Sequence, residues 1–175
     1  EAAIKQDIEQ LNDQCPIVLG SFGAITKVEY EDGTVTFTYL VNEKETLTDI
    51  GKFQMYKPLL KELSMTSLAS SNLASMETIS NDDVNLRYKM LGNKSKAMVV
   101  IDISNQELRD FMANIDGKPH AMDHKLLDLN IQLVNTNLPQ KIDKGLLITQ
   151  IFQQDNNVVY KLSVDEEDLG NDVEI

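Results

Sequence analysis

The chain has 175 residues, 42% of them hydrophobic and 25% charged, as in an ordinary globular protein of one generous domain or two small ones. Its formal net charge of −12 disfavours nucleic-acid phosphates and anionic membrane surfaces, and no apolar run approaches the roughly 20 residues that span a bilayer. The single cysteine, Cys15, leaves no internal disulfide and no cysteine-based zinc cluster.

Ile4, Ile8, Leu11 and Cys15 form one apolar stripe, which predicts a first helix ended by Pro16. "GSFGA", Gly20 to Ala24, lacks a phosphate-loop lysine and runs into a strand rather than a helix, so it reads as a bend and not as an anion cradle. Two β-prone runs then flank Asp32-Gly33, a hairpin signal because glycine tolerates positive φ. Val35, Phe37, Tyr39 and Val41 share the inward face of the second run, and Thr34, Thr36 and Thr38 the other. Ile50, Phe53, Leu59, Leu60 and Leu63 are spaced for a helix that Pro58 kinks or restarts. Residues 64–83 fit either a continuing helix or a loop. "NLRYKML", a turn at Gly92-Asn93 and "KAMVVIDIS" predict a second hairpin, with "SNDD", Ser80 to Asp83, as the turn or cap before it. Ser104 with Glu107 makes a capping box for a helix whose apolar face is Leu108, Phe111, Met112 and Ile115. A final helix, "MDHKLLDLNIQLVNTN", leads into another pair of strands.

That last stretch repeats the first. At a constant offset of 123, Ile4, Ile8, Leu11 and Cys15 fall on Leu127, Ile131, Val134 and Leu138, and Pro16 falls on Pro139. Val35, Phe37, Tyr39 and Val41 likewise fall on Val158, Tyr160, Leu162 and Val164. Agreement of helix stripe, helix stop, turn and strand face without a gap implies an internal repeat. The expected organisation is residues 1–117 as a first α-β-β-α-β-β domain with a trailing helix. Residues 118–175 make a second, incomplete α-β-β repeat. The second copy stops where its own second helix would begin, so a longer parent protein is expected. A lone helix and hairpin bury their apolar faces poorly, so residues 122–175 are expected to pack on the first domain or on another chain, as in a homo-oligomer formed through the incomplete repeat.

Few residues invite chemistry. Cys15 corresponds to Leu138 on the buried stripe and reads as a small core hydrophobe. His120 and His124 are four apart and could share a helix face as metal ligands near Asp116 and Asp123, the basis of a rival reading as a metal-dependent hydrolase. No glutamate stands between them to act as general base, and two exposed histidines at a helix start explain them equally. "DEEDLGND", Asp165 to Asp172, lacks the alternating spacing of a calcium loop and reads as a solvated acidic linker. The five tyrosines fall mostly on inward faces, and no aromatic platform is apparent.

The helix through "NTNLPQKID" to "LLITQIFQQDNNVVYKLSVDEE" resembles uncharacterised small secreted or periplasmic tandem α-β-β domain proteins of Gram-negative bacteria. The matching positions are Asn135, Leu138, Pro139, Asp143, Val158, Tyr160 and Val164. Those domains often carry a disulfide pair, which this chain lacks. The resemblance implies a periplasmic or cell-surface (secreted) location and no known activity. The arrangement also looks like cystatin-like folds and beta-lactamase inhibitor protein. The expectation is therefore an α+β protein, antiparallel hairpins forming a twisted sheet under amphipathic helices. Its expected role is non-catalytic binding of a protein or small ligand, without cofactor or metal. An inhibitor-like version would use the hairpin turns Glu31–Thr34 and Leu91–Lys94.

Overall fold

The computed structural model describes residues 2–46, 48–115 and 119–164, and their side chains except at 2, 3, 71–76, 78 and 119–122. Helix α1 (Ala2–Asn12) lays Ile4, Ile8 and Leu11 against the core, with Cys15 just beyond them. Strand β1 (Ile17–Val18), a single 3-10 turn (Gly20–Phe22) and strand β2 (Gly23–Glu31) follow. Asp32 and Gly33, at φ of 49° and 70°, turn the chain into β3 (Thr34–Val41). Positive φ at both central residues matches the twist of the flanking strands.

A 3-10 segment (Ile50–Tyr56) runs into helix α2 (Lys57–Asn81), with Pro58 in the first turn, where its missing N–H leaves no bond unmade. The ambiguous stretch from 64 is helical as far as Asn81. Strands β4 (Asn85–Gly92) and β5 (Met98–Ile103) form the second hairpin. Helix α3 (Asn105–Asn114) starts with the expected capping box, Ser104 accepting from the Glu107 N–H while Glu107 accepts from the Ser104 N–H. Helix α4 (Pro119–Asn135) precedes β6 (Gln140–Asp143), β7 (Leu146–Gln154) and β8 (Asn157–Val164).

The fold is α+β. One sheet has the order β1-β2-β3-β4-β5 and the other β6-β7-β8. All pairs are antiparallel except β3 with β4, which run parallel from Thr34↔Asn85 to Val41↔Gly92. Two hairpin signals in a sequence say nothing about how the hairpins join, and here they join side by side. A parallel pair needs a long crossover, and α2 with its preceding 3-10 segment supplies it. Alternate residues of these strands, among them Val35, Val41, Leu86, Ile101 and Ile103, are buried with Leu60 of α2. The core therefore lies between the sheet and its helices.

The second sheet repeats details of the first at the same offset of 123. Ile17↔Ile25 and Val18↔Ala24 recur as Gln140↔Ile148 and Lys141↔Leu147. The register shift between Ile25 and Lys27 recurs between Ile148 and Gln150. The Asn12 side-chain oxygen accepts from the Val28 N–H at 2.9 Å, and that of Asn135 from the Ile151 N–H at 2.9 Å. The Thr26 hydroxyl donates to the Thr38 carbonyl and the Thr149 hydroxyl to that of Lys161, both at 3.2 Å.

Helix α4 joins the two sheets. Leu129 and Leu133 are buried, and Leu133 is part of the same core as the first sheet. Along α2, Lys125 pairs with Glu62 at 2.8 Å and the Ser70 hydroxyl donates to Asp123 at 3.2 Å.

Candidate functional site

Between the first sheet, α2 and α4 the side chains leave a cavity of about 490 Å³. Its floor is the inward face of the sheet, Ile25, Tyr39, Tyr88 and Met90, with Leu19 and Phe22 at one end. Leu63 and Leu68 of α2 form one wall, and Leu126 and Asn130 of α4 the other. Ser64 and Ser67 keep the α2 wall low, because a small residue at each leaves space that a leucine would fill. The volume falls in the range of ligand sites, which are mostly apolar with a few placed polar groups.

The floor contains a packed aromatic ladder. Phe37 stacks on Tyr88 with ring centroids 5.6 Å apart, Tyr88 lies 6.0 Å from Tyr39, and Phe22 meets Tyr39 edge-on at 6.3 Å. Such pairs contribute about 0.5–1.5 kcal/mol beyond burial. No aromatic platform was visible in the sequence, because the four rings come from two strands, β3 and β4, and a 3-10 turn far apart in the chain. Burial pushes the Tyr39 phenol up to about 12 and raises Tyr88 as well, the neighbouring Tyr39 adding to it. Both stay neutral at physiological pH, so the floor offers ring faces and hydroxyls rather than an acid or a base.

A second constellation escaped sequence reasoning. Glu43, just past β3, is buried yet charged. Its Oε1 accepts from the Ile50 N–H at 3.0 Å and the Ser95 hydroxyl at 2.7 Å. Its Oε2 accepts from the N–H groups of Lys94 and Ser95 at 2.9 and 2.7 Å. Burial alone would raise its pKa, but the Ser95, Ile50 and Lys94 donors outweigh burial and bring it down to about 2. This carboxylate ties the β4–β5 turn to the 3-10 segment before α2, and its donors in the turn lie some fifty residues away in the chain. The turn Leu91–Lys94, expected as an exposed contact, thus spends the Lys94 N–H internally. At the other turn, the Gly33 carbonyl accepts from the Asn85 N–H at 2.9 Å.

The remaining sequence candidates form no common site among the described residues. Cys15 is half-buried against the core, its thiol 3.9 Å from the Leu11 carbonyl. His124 and Asp123 are exposed on α4. The His120 side chain, Asp116 and the segment Asp165–Asp172 lie outside the described residues. Among the described residues no three His, Cys, Asp or Glu side chains are grouped to hold a metal ion. Asp83 of "SNDD" pairs with Arg109, and the Ser80 carbonyl accepts from Asn105 and Arg109. This acidic tetrapeptide therefore anchors α3.

No family model and no curated protein matches this chain. Among solved structures the fold is similar to the pilotin EpsS of the Vibrio vulnificus type 2 secretion system. That match has a TM-score of 0.44 and 14% identity, over 62% of this chain and 90% of that one. It is also similar to the type II secretion system pilotin AspS from Vibrio cholerae, at a TM-score of 0.45 and 13% identity over 61% and 90%. The likeness is one of fold over part of the chain. The cystatin-like and inhibitor-protein architectures read from the sequence remain analogies. No helix among the described residues is long and apolar enough to cross a membrane.

Proposed function

We propose that this protein is a non-catalytic binding module of the cell envelope that receives an apolar segment of a protein partner between α2, α4 and the first sheet. The observation that carries this reading is the groove itself. It is large enough for several apolar side chains, floored by aromatic rings and edged by Ser64, Ser67 and Asn130. An amphipathic helix laid in such a groove would place alternate turns of leucine-sized anchors against the floor, with the two serines giving its backbone room to approach. The recurrence of the same strand registers at offset 123 supports treating the two sheets as copies of one unit, with this groove on the first. The envelope location rests on the resemblance seen in the sequence.

A photo-crosslinking residue in place of Ser67 tests the reading in intact cells. The expected result is a discrete protein adduct at Ser67 and none from the same probe at Asp32 in the hairpin turn. Leu126→Glu should remove the adduct while leaving the far-ultraviolet circular dichroism unchanged. Equal labelling from both positions, or labelling that survives Leu126→Glu, would refute the groove as the contact. Recovery of the protein in the soluble cytoplasmic fraction would refute the location.

A further inference from the structure

The groove is uncharged without being wholly apolar. None of the residues that line it carries a charge, in a chain where 25% do. Tyr39 of β3 and Tyr88 of β4 both line it, and Tyr88 is only 7% exposed. Phe37 stacks on Tyr88 and Phe22 meets Tyr39 edge-on, so neighbouring rings hold both phenols in place. Neither hydroxyl has a hydrogen-bond partner among the described residues. Burial leads the rise of both groups, and no hydrogen bond contributes to either. The described side-chain polar atoms that are both sealed from solvent and unpartnered belong to Thr66 and Asn137. The two phenol oxygens are therefore unpartnered but reachable, and the space that both residues border is the groove.

A phenol both donates and accepts, and a buried one normally has a partner. In the open groove solvent can serve. An occupant displaces that solvent, and one made only of hydrocarbon leaves both groups unmet, which weakens its binding.

We propose that Tyr39 and Tyr88 set the specificity of the groove: the helix it receives brings one neutral amide side chain, asparagine or glutamine, onto the two phenols among its leucine-sized anchors. The inference rests on the groove reading and adds the chemistry that selects the occupant. An amide suits a pair of rings 6.0 Å apart, because its oxygen accepts from one phenol while its NH₂ group donates to the other. A carboxylate or an ammonium would enter without a counter-charge in the lining, and burying a lone charge is far more costly than burying an amide. Sites that hydrogen-bond a polar group reject analogues lacking it much more strongly than apolar pockets reject a change of one methylene. The phenols thus distinguish one amphipathic helix from another, which an apolar wall does poorly.

The probes are a labelled synthetic amphipathic helix with leucine anchors and a series in which one anchor at a time is asparagine. Fluorescence anisotropy measures their affinities for wild type and for Tyr39→Phe with Tyr88→Phe, which keeps the rings and removes only the hydroxyls. At one position of the series, the ratio of asparagine to leucine affinity should fall at least about tenfold in the double variant, equivalent to ~1.4 kcal/mol. Aspartate in place of that asparagine should bind wild type at least about tenfold more weakly, a comparison that needs no protein variant. A ratio unchanged at every position, or equal binding of the aspartate peptide, would overturn the inference. The groove itself would still stand if Leu126→Glu abolished binding of the same peptides. Failure of every peptide to bind, or binding that survives Leu126→Glu, would overturn the groove reading and this inference with it.

Discussion

Replacing Glu43 by glutamine exchanges a carboxylate that accepts four hydrogen bonds for an amide with one accepting oxygen. The two partners of Oε2, the backbone N–H groups of Lys94 and Ser95, would face the new NH₂ group. The carboxyl group's ordinary value of 4.5 falls to about 2 in the folded protein. At ~1.36 kcal/mol per pH unit this sets an upper limit of ~3 kcal/mol on the carboxylate's preference for the fold. Solvent near the turn screens part of that, so ~2 kcal/mol is expected at pH 7. A group whose folded value is depressed stabilises above its unfolded value and loses that contribution as pH falls through its folded value. Wild type should therefore lose this stability between about pH 4.5 and 2, whereas Glu43→Gln should not. Urea denaturation at a series of pH values measures both chains. A difference of ~2 kcal/mol at pH 7 is a midpoint shift of roughly 1 M urea. A gap between wild type and variant that stays constant down to pH 3, or is absent at pH 7, would refute the assignment of Glu43 as a buried anion held by the turn.

Gly23 has φ of 137°, and a Cβ there would sit 2.0 Å from the Leu40 carbonyl oxygen, so Gly23→Ala should cost at least ~2 kcal/mol in chemical denaturation. Thr66 is fully buried in α2, and its hydroxyl has no hydrogen-bond partner among the described residues. Thr66→Val should therefore leave stability unchanged or raise it by up to ~1 kcal/mol, seen as a higher thermal midpoint.

The parts of the fold legible in the sequence were those set by neighbours in the chain. The stripe of α1, the Asp32-Gly33 turn and the Ser104–Glu107 box need only a few consecutive residues to declare themselves, and each is present. The recurrence at 123 was legible for the same reason: it compares local patterns with local patterns. Long-range pairing was not. The parallel seam between β3 and β4 leaves no mark within either strand, since both alternate as any half-buried strand does. Glu43 read as one polar residue among several in "NEKE", because its donors come from Ile50 and from a turn past β4. The groove was half legible: Tyr39 was placed inward, but nothing in the sequence brings Phe22, Tyr88 and Leu126 to the same space. Ser64 and Ser67, three apart between Leu63 and Leu68, were the available hint of a low helix wall.

The parallel seam has a kinetic corollary. Each antiparallel ribbon of the larger sheet can zip up from its own short turn, but the middle ladder closes only when the ends of a long tether, α2 and its 3-10 lead-in, are brought together. Ordering that tether costs entropy before the ladder returns any bonds. The last event in assembly should then be the meeting of two ready-made ribbons, with Val35 and Leu86 arriving together. A cut in that tether would leave each ribbon intact and remove the one covalent link that holds their concentration high.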